Sequence, residues 1–395
     1  MKAYDSAVDL VRDLQPTRPV LGIRPHAATR AASWFLANFP GRVLYAVKAN
    51  DNPLIADALS QAGVSCFDVA SLGEIEQYAG RPGAELYLMH PVKSRDLIAR
   101  AYHEFGVRHF SFDLERELAK ICEETGRARD LHLYLRLAVP NSSSVIPLDR
   151  KFGAEPKDAV PLLRLAREVA AGLGISFHVG SQSLEPQSYA RALEIAAEVI
   201  AEAGVPVDYI NVGGGFPARH PGSEPPHLSE FFHDIQSSLA RLGLDRCTLL
   251  AEPGRALVAE SESLIVKVLG RRARYLYIND GTYGCMFEGA QIYGGLAYPV
   301  RRIRDGQELE GGRLEPFALW GPSCDSIDFL PGPFLLPADT DEGDYLEIGQ
   351  LGAYGRVSLT RFNGYGRYDE AILADDPMMS MYGGDAVTIG AAATA

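Results

Sequence analysis

Cysteine, long apolar runs and blocks of basic charge are all scarce in this sequence of 395 residues. Its five cysteines form no CxxC or CxxH pair, which argues against a disulfide framework or a zinc site and favours reduced thiols in a cytoplasmic protein. No window reaches the roughly 18 apolar residues of a membrane helix, and the N-terminus lacks the apolar core of a signal peptide. The net charge is −13 without a basic block, which argues against nucleic acid and membrane as partners.

What the first two thirds of the chain do contain is an alternation of apolar runs and helical patterns. Alternating strands and helices favour a parallel sheet, and eight strands favour a (β/α)8 TIM-like barrel. The GxGxxG of a doubly wound dinucleotide fold is absent after the first strand. The eight predicted strands are Val43–Val47, Val64–Val69, Glu85–Met89, Arg108–Phe112, Leu131–Leu137, Ile175–Val179, Tyr209–Val212 and Thr248–Ala251. The predicted helices are Leu54–Gln61, Leu72–Ala79, Asp96–Phe105, Leu114–Glu124, Asp158–Leu173, Ser188–Ala203 and Leu228–Leu242.

After residue 255 the long helical patterns stop, and short β-rich runs broken by Gly, Pro and Asp begin. This change predicts a second, mainly antiparallel β domain. We expect residues 25–255 to form the barrel and residues 1–24 and 256–395 to form the β domain. The Gly- and Ala-rich stretch after Asp375 is expected to fray. The predicted β runs are Leu257–Leu269, Tyr275–Ile278, Val300–Ile303, Phe317–Trp320 and Tyr345–Ile348.

A lysine, Lys48, directly follows the first predicted strand. An amine at the rim of a low-dielectric core is expected to have a depressed pKa and to act as a nucleophile, and a solvated lysine at a strand end is the alternative. Reactive or ligand-binding residues also lie in the last residues of the other predicted strands or directly after them, and in a barrel all these strand ends meet at one face. Their convergence indicates a ligand site. They are Lys48, Asp68, His90, Asp113, Arg136, His178, Ser181, Gly213, Gly214, Gly215, Glu252 and Arg255.

The three consecutive glycines after the seventh strand favour a phosphate site, because they expose backbone N–H groups and permit close approach. Phosphate sites of such barrels commonly lie after strands seven and eight, where Arg255 also falls; a tight glycine turn is the alternative. Glu252 could hold a pyridine nitrogen protonated or simply pair with an arginine. His178 could stack on a ring, bind a phosphate or be an ordinary rim residue. A Schiff-base lysine, a phosphate cradle and a pyridinium partner together predict pyridoxal 5′-phosphate (PLP).

Eight motifs spread over nearly the whole chain resemble, in the same order, those of the PLP-dependent ornithine/diaminopimelate/arginine decarboxylases. These enzymes have the alanine-racemase fold, and the resemblance is greatest to bacterial ornithine decarboxylase. The motifs are Tyr45–Asn50, Phe67–Ser71, His178–Gln182, Gly213–Gly215, Glu252–Arg255, Asn279–Gly284, Trp320–Asp325 and Gly352–Tyr354.

The resemblance implies a role for each matching residue. Lys48 would bind the cofactor as a Schiff base, His178 would stack on its ring, and Glu252 would pair with the pyridinium nitrogen. In the family, a homodimer shares its active sites, so Cys324 would cross the interface to protonate the carbanion, and Asp325 would bind the substrate's distal amine. A buried structural thiol is the alternative for Cys324. The phosphate would be held by Ser181, Gly213, Gly214, Gly215, Arg255 and Tyr354. Gly254 would also bind the cofactor, and Asp68, Glu74 and Arg136 would take supporting positions around it.

The substrate is the least determined feature. Diaminopimelate decarboxylases carry Cys-Glu-Ser where this chain has Cys324-Asp325-Ser326, so the resemblance favours the ornithine-type branch and decarboxylation of L-ornithine to putrescine. Tyr283 and Glu288 are expected to contact the substrate, although relatives usually have aspartate near the position of Glu288, and a solvated loop residue is the alternative. Lysine, arginine or a modified diamino acid of a specialised pathway, such as siderophore or polyamine synthesis, therefore stay open.

Two other functions remain possible for a chain of this kind. A racemase of the same fold would lack the Cys-Asp segment. A PLP-free regulatory relative would not be expected to keep Lys48, Glu252 and Cys324.

Overall fold

A computed structural model describes residues 1–290, 293, 295–308 and 313–382 of the chain. Its strands are Lys2–Tyr4 (β1), Val20–Ile23 (β2), Arg42–Ala46 (β3), Cys66–Val69 (β4), Glu85–Leu88 (β5), His109–Phe112 (β6), His132–Arg136 (β7), Ser144–Ile146 (β8), Gly172–Ser176 (β9), Ser181–Ser183 (β10), Tyr209–Asn211 (β11), Thr248–Ala251 (β12), Glu262–Arg272 (β13), Tyr275–Ile278 (β14), Val300–Arg304 (β15), Gln307–Glu308 (β16), Leu314–Trp320 (β17), Phe329–Pro337 (β18), Tyr345–Ile348 (β19) and Asp369–Leu373 (β20). Its α-helices are Ala7–Leu14 (α1), Pro25–Asn38 (α2), Pro53–Gln61 (α3), Leu72–Tyr78 (α4), Arg95–His103 (α5), Glu115–Glu124 (α6), Pro156–Val169 (α7), Gln187–Ala203 (α8), Leu228–Arg241 (α9) and Arg255–Val258 (α10).

Eight parallel strands close into a barrel in the order β11-β12-β3-β4-β5-β6-β7-β9, which confirms the predicted fold class. Seven of them overlap the predicted runs closely, whereas β9 begins at Gly172 and ends before His178. The sequence analysis placed that strand too late because its two glycines suggest a turn. In the barrel they make room for neighbours, since a Cβ at Gly174 would lie 2.8 Å from the Cβ of Tyr209.

The barrel is filled at the N-terminal ends of its strands by aromatic rings. His109 and His132 stack with centroids 4.5 Å apart, and Tyr134 and Tyr209 pack beside them with centroids 5.4 Å apart. Because these rings fill that end, the carboxyl ends of the strands form the open mouth. The small antiparallel pair of β8 and β10 lies in the loops that follow β7 and β9.

The seven predicted helices are all present, although α7 ends at Val169 rather than at Leu173. The sequence analysis missed α2, whose buried face is largely alanine and therefore carries a weak apolar pattern. Its first residue is Pro25, which suits the first turn of a helix because the missing N–H is not needed there. The run predicted as a strand from Leu257 is also divided, since α10 precedes β13.

The second layer is a ten-stranded mixed sheet in which β1-β20-β2-β13-β14-β17-β18 follow one another. Strand β13 also pairs with β19, which continues through β15 to β16. The sheet is mainly antiparallel, but β20 runs parallel to β1 and β2, and β14 runs parallel to β17. The sequence analysis missed β18, whose apolar run is interrupted by Pro331, Gly332 and Pro333.

The described residues after Asp375 are held against the barrel rather than frayed. The backbone N–H of Met381 donates to Glu260 at 2.6 Å, and the Tyr382 hydroxyl donates to the Ala256 carbonyl at 2.6 Å. Residues 383–395, on which the same expectation was placed, lie outside the described residues. Among the described residues, no helix has the length and apolar character needed to cross a membrane.

Candidate active site

Two cavities, of about 200 and 470 Å³, open at the barrel mouth. Lys48, His178 and Glu252 line both of them. The structure therefore brings together side chains that the sequence places in separate loops. The smaller cavity is also lined by Ser181, Gly214, Gly215, Gly254, Arg255, Glu288 and Tyr354, and the larger one by Asp68, His90 and Arg136.

Lys48 lies in a 3-10 turn, Val47–Ala49, directly after β3. Its side chain is 48% exposed at the mouth, and its Nζ donates to Oδ2 of the buried Asp68 at 3.0 Å. Desolvation acts to lower the pKa of Lys48, but the surrounding acidic groups, Asp68 first and Glu252 with it, together outweigh it and raise the pKa above its ordinary value. The expectation of a depressed pKa was therefore wrong, because it omitted the carboxylate that β4 brings alongside.

Glu252 follows β12 and is buried at the base of the mouth. Asn211 Nδ2 donates to its Oε1 at 2.7 Å, so its recorded partner is an amide and not the arginine of the alternative interpretation. Burial and the nearby Asp68 raise the pKa of Glu252 to about 7. A carboxyl group poised between its two protonation states can share a proton with a basic ring nitrogen.

His178 presents a neutral ring to the cavities. Burial lowers its pKa well below the ordinary value, and the positive charges of Arg136 and Lys48 act in the same direction. Its Nδ1 accepts a hydrogen bond from the Gly180 N–H at 3.0 Å, so we assign the remaining ring proton to Nε2. A neutral, fixed imidazole is suited to stack against a flat aromatic ligand.

The glycine loop after β11 is packed so tightly that side chains are excluded. Gly213 and Gly215 have φ of +68° and +101°, a region that favours glycine. A Cβ at Gly214 would lie 2.7 Å from the Glu252 carbonyl and 3.0 Å from Nε2 of His178. Within the described residues the N–H groups of Gly214 and Gly215 have no recorded acceptor, which leaves them for an anionic ligand.

Arg255 and Glu288 form a buried ion pair at the same cavity. Nη1 and Nη2 of Arg255 donate to the two carboxylate oxygens of Glu288 at 2.9 and 2.7 Å. Nη2 also donates to Ser181 Oγ at 3.2 Å, and Nε is buried without a partner among the described residues. Arg255 thus engages both oxygens of Glu288, and the contact of Glu288 with a substrate that the sequence analysis expected stays a prediction.

Tyr354 completes this end of the site. Its backbone has φ +60°, a strained conformation for a residue with a Cβ, and its N–H donates to the Ala49 carbonyl at 2.8 Å. Its ring lies 5.1 Å from the Arg255 guanidinium, and Gly254 leaves space beneath its hydroxyl. Four features together fit the phosphate, aldehyde and ring nitrogen of PLP: an Arg255 Nε and glycine N–H groups that have no partner among the described residues, a lysine amine and a buried carboxyl group.

The predicted residues Cys324 and Asp325 lie apart from both cavities in this chain. Cys324 is exposed, which contradicts the alternative of a buried structural thiol. Asp325 accepts hydrogen bonds from the Ile327 N–H at 3.0 Å and from the Tyr283 hydroxyl at 2.6 Å, and both lower its pKa. Asp325 is therefore an ionised, partly exposed carboxylate.

Sequence reasoning missed several residues that support the site. The Asn211 amide donates to Glu252, and its Oδ1 accepts from the Gly213 N–H at 2.9 Å. Asn141 Nδ2 donates to the backbone carbonyl of His178 at 2.9 Å, which fixes that loop, and the Tyr189 hydroxyl donates to the Gly214 carbonyl at 2.9 Å. Asn211 could have been identified from the sequence, because it ends the strand just before the three glycines. Asn141 and Tyr189 could not, because they are distant in sequence from the residues they contact. Glu74 and Asp113 do not line either cavity: Glu74 accepts from the Ala70 N–H at 2.6 Å, and Asp113 accepts from the Gly153 N–H at 2.9 Å.

Comparisons with known proteins agree on one family. The model of the pyridoxal-binding domain of pyridoxal-dependent decarboxylases matches residues 26–259. A Selenomonas ruminantium protein named lysine/ornithine decarboxylase is 35% identical over 346 residues, which covers 85% of this chain and 84% of that protein. The Paramecium bursaria Chlorella virus arginine decarboxylase bound to agmatine has a TM-score of 0.81 and 27% identity, covering 92% of this chain and 98% of that one. The Vibrio vulnificus lysine/ornithine decarboxylase complexed with cadaverine has a TM-score of 0.78 and 29% identity, covering 94% of this chain and 100% of that one.

Proposed function

The chain belongs to the family of pyridoxal-dependent decarboxylases, and from that premise we propose that it removes the α-carboxylate of a basic L-amino acid, with L-ornithine as the first candidate. The observation that carries the substrate class is Asp325, an ionised and partly exposed carboxylate that accepts a hydrogen bond from the Tyr283 hydroxyl at 2.6 Å. A basic distal group that leaves water on binding needs such a partner. L-lysine is the second candidate, since the relative from Selenomonas ruminantium is named for both substrates.

When bound, PLP acts as the electron sink for the electrons that CO2 leaves behind. The chain supplies the surroundings of that chemistry. Lys48 would provide the amine that bonds the cofactor, and Glu252 would keep the ring nitrogen protonated. His178 would restrain one face of the ring, and the free edge of Arg255 with the Gly214 and Gly215 N–H groups would hold the phosphate.

We further propose that two copies of the chain share their sites. Cys324 and Asp325 do not line the cavities at Lys48, so in the proposed reaction a second copy must deliver them. The surface around them suits an interface: the Tyr283 and Phe362 rings pack at a tilt with centroids 4.4 Å apart, and Phe362 is 42% exposed. A further aromatic cluster adjoins the same loop, where the Trp320 and Phe329 rings lie 4.4 Å apart. In that arrangement Cys324 would deliver the proton that replaces CO2.

A cytoplasmic location and a place in polyamine synthesis stay predictions. The five cysteines are all free thiols, which is consistent with a reducing compartment.

The experiment that tests the proposal is a decarboxylation screen of the PLP-loaded protein. Released CO2 is measured with L-ornithine, L-lysine, L-arginine and meso-diaminopimelate, with Lys48→Ala as the inactive control. We expect the basic amino acids to react and diaminopimelate to fail. Asp325→Asn should lower kcat/KM for the preferred substrate by roughly 100-fold, since each lost charge contact of this kind is worth about 2 to 3 kcal/mol. Asp376→Asn, which removes a charge from an exposed surface pair with Arg30, is the matched control.

Release of CO2 from diaminopimelate alone, or formation of the D-amino acid without CO2, would contradict the proposal. Equal kcat/KM in the Asp325→Asn and Asp376→Asn variants would remove Asp325 from substrate recognition.

A further inference from the structure

The buried pair of Arg255 and Glu288 places a carboxylate where an anionic ligand must bind. Both side chains are nearly inaccessible, at 3% and 7% exposure, and both line the 200 Å³ cavity with Gly214 and Gly215. Glu288 engages the edge of the guanidinium formed by its two terminal nitrogens. The edge formed by Nε and Nη2, beside Ser181, is the one left for a ligand.

Among the residues that the structure describes, the other groups around Arg255 do not supply a second counter-charge. Ser181 and Tyr354 contribute hydroxyls. The buried His220 is neutral, since burial and the charge of Arg255 lower its pKa to about 3. In the cofactor-free chain Glu288 is thus the anion that balances Arg255.

We propose that Glu288 is an internal competitor for Arg255, which weakens the binding of phosphate-bearing ligands and thereby makes the cofactor easier to release. A phosphate on the free edge of Arg255 would share that guanidinium with a carboxylate of the same sign. The carboxylate offsets part of the attraction that Arg255 would otherwise exert, and it stabilises the cofactor-free state by satisfying the arginine there. Glu288 is thereby assigned to the phosphate end of the site.

An alternative role for Glu288 predicts the opposite change in phosphate affinity. If Glu288 served mainly to aim the free edge of Arg255 at the phosphate, its removal would weaken phosphate binding. Like charges about 6 Å apart repel strongly enough, at an effective dielectric constant of about 20, to change an affinity by roughly 100-fold. The orientation of Arg255 is also restrained by Ser181, and the glycine loop binds the phosphate independently. Losing the orienting contact of Glu288 should therefore reduce phosphate affinity by less than 100-fold, so we expect the removal of its charge to give a net gain in affinity.

The test is calorimetric titration of the cofactor-free protein with PLP, with inorganic phosphate and with pyridoxal, which lacks the phosphate. Glu288→Gln keeps the shape of the side chain and removes its charge. We expect it to bind PLP and inorganic phosphate roughly 10- to 100-fold more tightly than the wild type, and to bind pyridoxal unchanged. Glu308→Gln, which removes one exposed carboxylate from its pair with Arg301, should change none of the three affinities.

A Glu288→Gln protein that binds PLP with equal or weaker affinity overturns the proposal, and so does an equal gain for pyridoxal. If Glu288→Gln does not fold, Glu288→Asp, which retracts the carboxylate by one methylene, should still tighten PLP binding, and no gain there counts against it. No amino-acid substrate enters these titrations, so their outcome is independent of the proposed decarboxylation.

Discussion

Replacing Asp68 by Asn should make Lys48 a faster nucleophile toward an aldehyde. In the structure the amine donates to Asp68 at 3.0 Å, and this carboxylate is the leading one of several acidic groups that together raise its pKa despite desolvation. A raised pKa keeps Lys48 as an ammonium at neutral pH, and an ammonium cannot attack a carbonyl group. Removing the negative charge lowers the pKa, so a larger fraction of the amine is free at any fixed pH.

The magnitude follows from the distance. Two unit charges 3.0 Å apart interact by about 5 kcal/mol at an effective dielectric constant of about 20, which is an upper bound. Because the Lys48 side chain is 48% exposed, we take a quarter to a half of this value. That corresponds to a pKa lowered by about 1 to 2 units, and thus to about 10 to 100 times more free amine at about pH 8.

The assay mixes cofactor-free protein with pyridoxal and follows the absorbance of the Schiff base over a range of pH. Pyridoxal has no phosphate, so the charges at Arg255 do not enter the comparison. Asp68→Asn should react about 10 to 100 times faster than the wild type at about pH 8. The control is Asp113→Asn, which removes another buried carboxylate whose recorded bond is to the Gly153 N–H and should leave the rate unchanged. A folded Asp68→Asn protein that reacts at the wild-type rate, or more slowly, would refute the reasoning.

Three further changes probe other parts of the molecule. Gly215→Ala should weaken PLP binding at least tenfold in a fluorescence titration, because φ is +101° and the new Cβ would collide with the Gly180 carbonyl. Unchanged PLP affinity in this variant would contradict the role of the glycine loop in phosphate binding. Cys324→Ala should slow amine release and divert part of the product to the aldehyde, detectable by chromatography, and unchanged products would remove Cys324 as proton donor. His220 resists protonation down to about pH 3 in the fold but takes a proton near pH 6.5 when unfolded, so it costs stability as pH falls below 6.5. When the pH is lowered from about 7.5 to about 5, the free energy of unfolding of His220→Asn, measured by chemical denaturation, should therefore fall by about 2 kcal/mol less than that of the wild type. An equal fall in the two proteins would contradict a buried neutral His220.

The barrel and most of its mouth could be predicted from the sequence because their signals are local. Strands buried on both faces read as continuous apolar runs, and the residues after them must converge once the strands are parallel. Strand β9 was misplaced because Gly172 and Gly174 suggest a turn, whereas the barrel needs them to admit neighbouring rings. Helix α2 was missed because alanine gives little pattern.

The electrostatics of the site could not be predicted in the same way, since charges act through space. Asp68 was recognised as a supporting residue, but its contact with Lys48 reverses the expected direction of the pKa. Glu288 was placed at the substrate by its position in a loop, while the fold brings it to Arg255, which is far from it in sequence. Only the three-dimensional pairing of these groups decides which charge each one sees.

Strand β2 lies between β13 and β20, so an early segment of the chain completes the sheet only with its last described strand. On a ribosome, the whole barrel emerges before β20 is made. Until then β2 has at most one neighbour and an open row of backbone donors and acceptors, the kind of edge through which nascent chains associate wrongly. A chain whose translation stops between β19 and β20 would thus contain a complete barrel and a sheet in which one edge of β2 has no hydrogen-bonding partner. Such fragments should depend on chaperones far more than the full chain.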